Sequence, residues 1–125
     1  MGYCARLDDA KFFIAEENKY EAYRKLKKDL YDVNGVQKAR CLEDVLKVYG
    51  FDSWLDSDDN ICDIDFIGDK LWDEEILFNL LAPFVKDGSY IEMFGEDGER
   101  WRWTFNNGQF KTITAKVVWE DNDEE

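Results

Sequence analysis

Histidine is absent from the 125 residues, and proline occurs once, at Pro83. Without imidazole, general acid–base chemistry falls to carboxylates, lysine, tyrosine or cysteine. Cysteine is sparse as well. Cys4, Cys41 and Cys62 are an odd number with no C-x-x-C spacing, which argues against a zinc site or a disulfide framework and fits a reducing, cytoplasmic setting. No apolar run reaches the roughly 20 residues of a membrane-spanning helix, and the beginning of the chain lacks a signal-peptide pattern. A phosphate-cradling glycine loop and a nucleophile elbow are also missing. The expectations are no metal, no cofactor, no membrane association and no enzymatic activity.

What is present is apolar bulk and negative charge. With 45% hydrophobic and 16% aromatic residues, the chain can hide about two-thirds of its extended surface and form one domain with a real core. A single domain over 1–119 is expected, followed by a frayed acidic tail, 120–125. The formal charge is −13 and unevenly placed: residues 1–50 hold 9 acids and 10 bases, residues 51–125 hold 20 acids and 6 bases. Such a second half repels phosphates and anionic membranes and attracts basic protein surfaces, besides keeping the protein dissolved.

Alternation organises the C-terminal half. Ile91 and Met93 share one face of a strand, and Trp101, Trp103 and Phe105 share one face of the next. A three-residue loop, Glu96-Asp97-Gly98, with Gly98 in the left-handed conformation, pairs Met93 with Trp101, Ile91 with Trp103 and Glu92 with Arg102. A two-residue loop would set arginines among the apolar groups, a one-residue slip that exposes large side chains at about 1.5–3 kcal/mol each. Asn106-Asn107-Gly108 turns the chain into a last strand, about 109–119.

Upstream, residues 3–14 begin as a strand that breaks at Asp8-Asp9. Tyr23, Leu26, Leu30 and Val33 follow helical spacing over about 18–33, with Asn18 as N-cap and Asn34-Gly35 as terminator; the opposite face carries Arg24, Lys25, Lys27 and Lys28. A shorter helix covers about 42–49. Strands at 51–55 and 61–67 flank a polar turn, with Cys62, Ile64 and Phe66 inward and Asp63 and Asp65 outward. Asp73 is the expected N-cap of a third helix, with Glu74 and Glu75 in its first turn and a stripe of Ile76, Leu77, Leu80 and Leu81. This order predicts an α+β fold: a mainly antiparallel sheet with a C-terminal three-strand meander and about three helices on one face.

Asp56-Ser57-Asp58-Asp59-Asn60 opens like an EF-hand loop, but Ile61 stands where glycine is needed and Ile67 where the bidentate glutamate belongs. An acidic hairpin turn is the better reading. Asp63 and Asp65, with Glu92 on a neighbouring strand, are the carboxylates that a metal-dependent enzyme would use. Trp101-Arg102-Trp103 interleaves aromatic and basic residues as single-strand binders do, yet its acidic surroundings favour core packing and no direct nucleic-acid contact.

From Asp87-Gly88-Ser89-Tyr90-Ile91-Glu92 through Gly95-Glu96-Asp97-Gly98-Glu99-Arg100-Trp101-Arg102-Trp103, the sequence resembles small acidic, uncharacterised proteins of bacteria and their phages or mobile elements. Acidic proteins of this size from such sources include anti-CRISPR and anti-restriction proteins, some of which imitate DNA; this is an analogy of class, and the resemblance itself names no activity and transfers no residue's role. The sequence thus predicts a binding protein whose acids dock on a basic surface of a nucleic-acid-handling partner and inhibit it. Asp56, Asp58, Asp59, Asp63, Asp65, Asp69, Asp73, Glu74 and Glu75 would form the docking ridge. A metal-dependent enzyme using the same carboxylates and a toxin-neutralising immunity protein are the alternatives.

Overall fold

The computed structural model describes residues 3–68, 70–71 and 73–115. Asp69 and the expected tail lie outside them. The elements are β1 (Tyr3–Lys11), α1 (Glu16–Asp29), α2 (Leu42–Val48), β2 (Phe51–Leu55), β3 (Ile61–Phe66), β4 (Lys70–Leu71), α3 (Glu74–Leu81), β5 (Ser89–Gly95), β6 (Arg100–Asn106) and β7 (Gln109–Thr114), with single 3-10 turns at Val36–Lys38 and Ala82–Phe84. Every strand pairing is antiparallel. One sheet runs β4-β1-β5-β6-β7, and β2 with β3 makes a separate two-stranded arm. This is the expected α+β fold, with the C-terminal meander β5-β6-β7.

The central hairpin has the register that turn chemistry and apolar alternation require. Met93 faces Trp101, Ile91 faces Trp103 and Glu92 faces Arg102. Gly98 sits at φ 88°, its N–H donating to Gly95 O at 3.0 Å. Ile91, Met93, Trp103 and Phe105 are buried, and half-buried Trp101 packs against the same core.

That core fills the space between the inner face of the sheet and a layer made of the helices and the arm. Phe78 of α3 is its hub. Its ring meets those of Phe12, Phe51, Trp103, Phe105 and Phe110 with centroids 5.2–6.5 Å apart. The expected stripe on α3 omits this residue. The buried positions are Glu74, Leu77, Phe78 and Leu81, a rotation that leaves Ile76 53% exposed. Helical spacing was right, but four neighbouring apolar residues permit two stripes, and the aromatic one buries more area.

Other boundaries moved for identifiable reasons. β1 does not break at Asp8-Asp9: pairing with β5 jumps between Leu7 and Asp9, so Asp8 is the extra residue of a bulge that keeps the residues on both sides correctly facing. α1 starts before Asn18. Its N-cap position is Ala15, which has no capping side chain; the Glu16 N–H instead donates to Asn60 Oδ1 at 2.8 Å, from a turn distant in sequence. At its other end α1 stops at Asp29, and Gly35, at φ 97°, opens the following 3-10 turn. β7 ends at Thr114, with Ala115 outside the strand; residues 116–119 of the expected strand lie outside the described residues.

Gly50 joins α2 to β2 at φ 90°, and a Cβ there would stand 2.9 Å from the Phe66 ring. Gly88 has a similar φ, 89°, with open space around it. Both glycines need the left-handed conformation, but only one is crowded. Gly50→Ala is therefore expected to cost about 1–3 kcal/mol and Gly88→Ala about 1 kcal/mol. Thermal melts of the two variants check this: equal losses would mean that backbone conformation alone matters at Gly50.

Candidate functional site

The arm, residues 51–67, contains six aspartates and no lysine or arginine. Direct cross-strand pairs are Asp52 with Asp65 and Trp54 with Asp63. Facing residues point to the same side of a ladder, so these four share the outer face of the arm. Phe51, Ile64 and Phe66 are buried on the other. Trp54 stays 48% exposed among the carboxylates, and Leu55 and Ile67 are exposed nearby. A large aromatic left in water beside three carboxylates sets this surface apart from a merely solubilising one.

A bulge shapes the arm. Pairing slips between Trp54–Asp63 and Leu55–Ile61, leaving Cys62 as the extra residue. Ile61 takes the inward position, and the Cys62 thiol is exposed. The expected burial of Cys62 is overturned because strict alternation does not survive the insertion.

The turn at the arm's tip is self-contained. Asp56 Oδ1 accepts from the N–H groups of Asp58 and Asn60, both at 3.0 Å, and Oδ2 accepts from Asn60 Nδ2 at 3.0 Å. Asp59 holds φ 65°. Asn60 also receives α1, and Lys19 Nζ donates to Asp59 O at 2.9 Å, which ties the tip to the start of that helix. The Asp56 carboxylate is committed to its own loop, so the EF-hand likeness has a structural explanation without a cation. Among the described residues no group of three acids or cysteines is placed to hold a metal ion.

The hydrogen bond from the Asn60 side chain, followed by those from the turn amides, holds Asp56 below the usual carboxylate range. A pKa lowered by folding contributes stability above the unfolded value, about 3.9, and loses it as pH falls through the folded value. Asp56→Ala should therefore lower Tm at neutral pH, and the gap from wild type should narrow as pH drops below about 4. Melts at several pH values check this; a gap constant with pH would remove the charge from the explanation.

Of the other acids of the expected ridge, Asp69 lies outside the described residues, and Asp73, Glu74 and Glu75 lie elsewhere. Glu74 is 2% exposed and belongs to the buried face of α3, so it is not a surface acid. Asp73 holds the N-cap position through its backbone carbonyl, which accepts from Ile76 and Leu77 N–H, without a side-chain cap bond. It borders an open cleft of 460 Å³ with Asp29, Asp32 and Tyr49, where burial first, then Asp73, Glu74 and Asp32, pushes the Tyr49 hydroxyl up to about 12. Glu75 accepts from Thr112 Oγ1 of β7 at 3.2 Å. Among the described residues the expected ridge therefore reduces to Asp56, Asp58, Asp59, Asp63 and Asp65 on the arm, joined by Asp52.

Glu92 is not beside Asp63 and Asp65. It stands on the outer face of the large sheet, 2.8 Å from Arg102 Nε and 3.7 Å from Arg100 Nη1. Glu92 is engaged by two guanidiniums, and the three acids do not form one centre. Trp101-Arg102-Trp103 proves to be strand alternation: Trp103 is inside, Trp101 packs against the core and Arg102 points out. Asp52 and Trp54 escaped sequence reading, although their alternation with Phe51 and Ser53 was the available signal.

No protein-family model, curated protein or solved structure matches the chain. No helix of the described residues is long and apolar enough to cross a membrane.

Proposed function

We propose that the protein is a non-enzymatic binding protein whose β2–β3 arm docks on a basic surface of a nucleic-acid-handling protein and inhibits it by occupying that surface. The observation that carries this reading is Trp54, exposed in the middle of Asp52, Asp63 and Asp65. Binding energy at protein interfaces concentrates in a few aromatic and arginine residues, and the surrounding charges supply orientation and encounter rate. A basic patch evolved for phosphates is the complementary partner: its lysines and arginines meet the aspartates, and their aliphatic stems or guanidinium planes cover the indole.

The acids occupy one turn and the outer face of one two-stranded arm. Duplex DNA carries a charge about every 1.7 Å of axis, and the arm offers a patch in place of such a line. The proposal is therefore occlusion of a basic patch, and a continuous imitation of the duplex is no part of it.

Capture from a bacterial lysate, with elution by salt, tests the reading when wild type is compared with Asp63→Lys/Asp65→Lys. The variant should lose the partner, steeply at about 0.1 M salt and less at about 1 M, where screening has already removed most of the exposed-charge attraction. The eluted partner should bind nucleic acid, and wild-type protein should compete with that nucleic acid. Equal capture by both forms, or a partner whose nucleic-acid binding is undisturbed, would refute it.

A further inference from the structure

The outer face of the large sheet, turned away from the helices and the arm, reverses the charge of the molecule. Cross-strand pairing arranges it in rows: Arg6, Phe94 and Arg100; then Asp9, Glu92, Arg102 and Ile113; then Lys11, Tyr90, Thr104 and Lys111. With Asp8, which meets Arg100 at 3.2 Å, this gives five cations against three carboxylates in a chain of net −13. The charges are also sorted. β1 and β5 carry Asp8, Asp9 and Glu92 together with Arg6 and Lys11, a net of −1, whereas β6 and β7 carry only Arg100, Arg102 and Lys111.

The side chains are held in place. The Arg6 and Arg100 guanidiniums lie over Phe94 at 4.3 and 5.2 Å from its centroid, and Arg102 lies 4.6 Å over Tyr90. The Tyr90 hydroxyl donates to Asp9 Oδ2 at 2.9 Å. Ile113 is 48% exposed beside Arg102. Stacked arginines lose less rotamer freedom on binding than free ones.

We infer that this face is the contact surface of a homodimer, two copies packing sheet on sheet about a two-fold axis that lies in the interface, parallel to the strands and between β5 and β6. Such an axis exchanges the two halves of the face while keeping each row at its own height. Glu92 then faces Arg102 of the second copy, and Phe94 faces the second copy's Arg100. Asp9 comes opposite the second copy's Ile113, and Tyr90 opposite its Thr104. Aligned sheet packing with strand directions within about 30° is a common arrangement, and an isologous contact needs this kind of self-complementarity. An unfavourable pair, Lys11 with the second copy's Lys111, falls at an open corner, where water screens it.

Two features favour a second copy over a nucleic-acid strand. Asp9 and Glu92 cross the middle of the face and would interrupt any line of phosphates. The rings of Phe94 and Tyr90 are already covered by guanidiniums and so are not free to stack on bases. The geometry also suits two polyanions. It brings together this cationic face while both acidic arms, on the opposite layer, point outward and remain free for partners.

Sedimentation equilibrium of the full chain, from about 1 μM to about 1 mM, tests the inference. At about 0.1 M salt the weight-average mass should climb toward twice the 14.8 kDa of one chain, and less so at about 1 M. Ile113→Glu and Arg102→Glu should each shift the midpoint at least about tenfold to higher concentration, and Glu92→Arg/Arg102→Glu should restore it, because the axis again opposes unlike charges. Ile113 is exposed, so its variant should melt like wild type and isolates the interface from folding. Asp63→Lys/Asp65→Lys should leave the dimer intact, which separates this inference from arm docking. A mass of one chain throughout, a dimer indifferent to Ile113→Glu, or one abolished by the arm variant would overturn it.

Discussion

Phe78→Ala is expected to leave the protein largely unfolded at 37 °C. The side chain is fully buried and touches five aromatic rings, those of Phe12 just after β1 and of residues in β2, β6 and β7. Truncating a buried phenylalanine costs about 3–5 kcal/mol, partly for the cavity that its neighbours cannot fill. Loss of edge-to-face pairing adds to that at about 0.5–1.5 kcal/mol per pair. A domain of this size has about 5–15 kcal/mol in total. Phe78→Leu keeps most of the volume and should lose less than half as much. Denaturant melts of the two variants check this. A Phe78→Ala protein as stable as wild type would mean that the layer above the sheet is not held through α3. Trp103→Ala, beside Phe78, should fall in the same 3–5 kcal/mol range.

Trp54→Ala is expected to do the reverse, sparing the fold and removing function. Half of the side chain is already in water, so truncation should move Tm little. At the proposed interface it is the anchor, and loss of a tryptophan hot spot costs about 2–4 kcal/mol, or about 30- to 1,000-fold in Kd. Titration of the captured partner with wild type and Trp54→Ala measures this. A changed melt with unchanged affinity would assign Trp54 to packing and take the anchor out of the proposal.

The contrast between these residues shows what the sequence discloses. The register of β5 and β6 was legible because turn chemistry and apolar alternation constrain it independently and agree on Gly98 and on the Ile91–Trp103 pair. β2 and β3 were legible as strands, but the inward set of β3 was not: the bulge at Cys62 exchanges Cys62 for Ile61, and nothing in a run of Ile-Cys-Asp-Ile announces an extra residue. The same holds at Asp8, where a bulge looked like a break. α1 was displaced because its amide acceptor is Asn60, a partner supplied by tertiary structure. On α3 the periodicity was sound, but the choice between adjacent stripes rests on what lies across from them. That choice buried Glu74 and placed Phe78 at the centre.

Acidity itself was visible from composition, whereas its arrangement was not. Asp73 and Glu75 are close in sequence to Asp63 and Asp65 and belong to different surroundings, one in a cleft with Tyr49 and the other beside β7. Asp52 joins the arm only through its pairing with Asp65. The outer sheet face is a further case: Arg6 and Arg100 are far apart in the chain, and only the order β1-β5-β6 places them on either side of Phe94.

Cross-linking from the arm tests the docking proposal most directly. Cys62 is exposed at the bulge, close to Asp63, and Cys41 is exposed at the start of α2. With Cys4 replaced by serine, a photoreactive group is attached either at Cys62 in a Cys41→Ser background or at Cys41 in a Cys62→Ser background. Illumination in a bacterial lysate should give a discrete adduct from the Cys62 probe, with the link mapping to a lysine- or arginine-rich nucleic-acid-binding surface, and little from the Cys41 probe. The same adduct in equal yield from both positions, or a link from Cys62 to an acidic or apolar surface, would contradict docking through the arm.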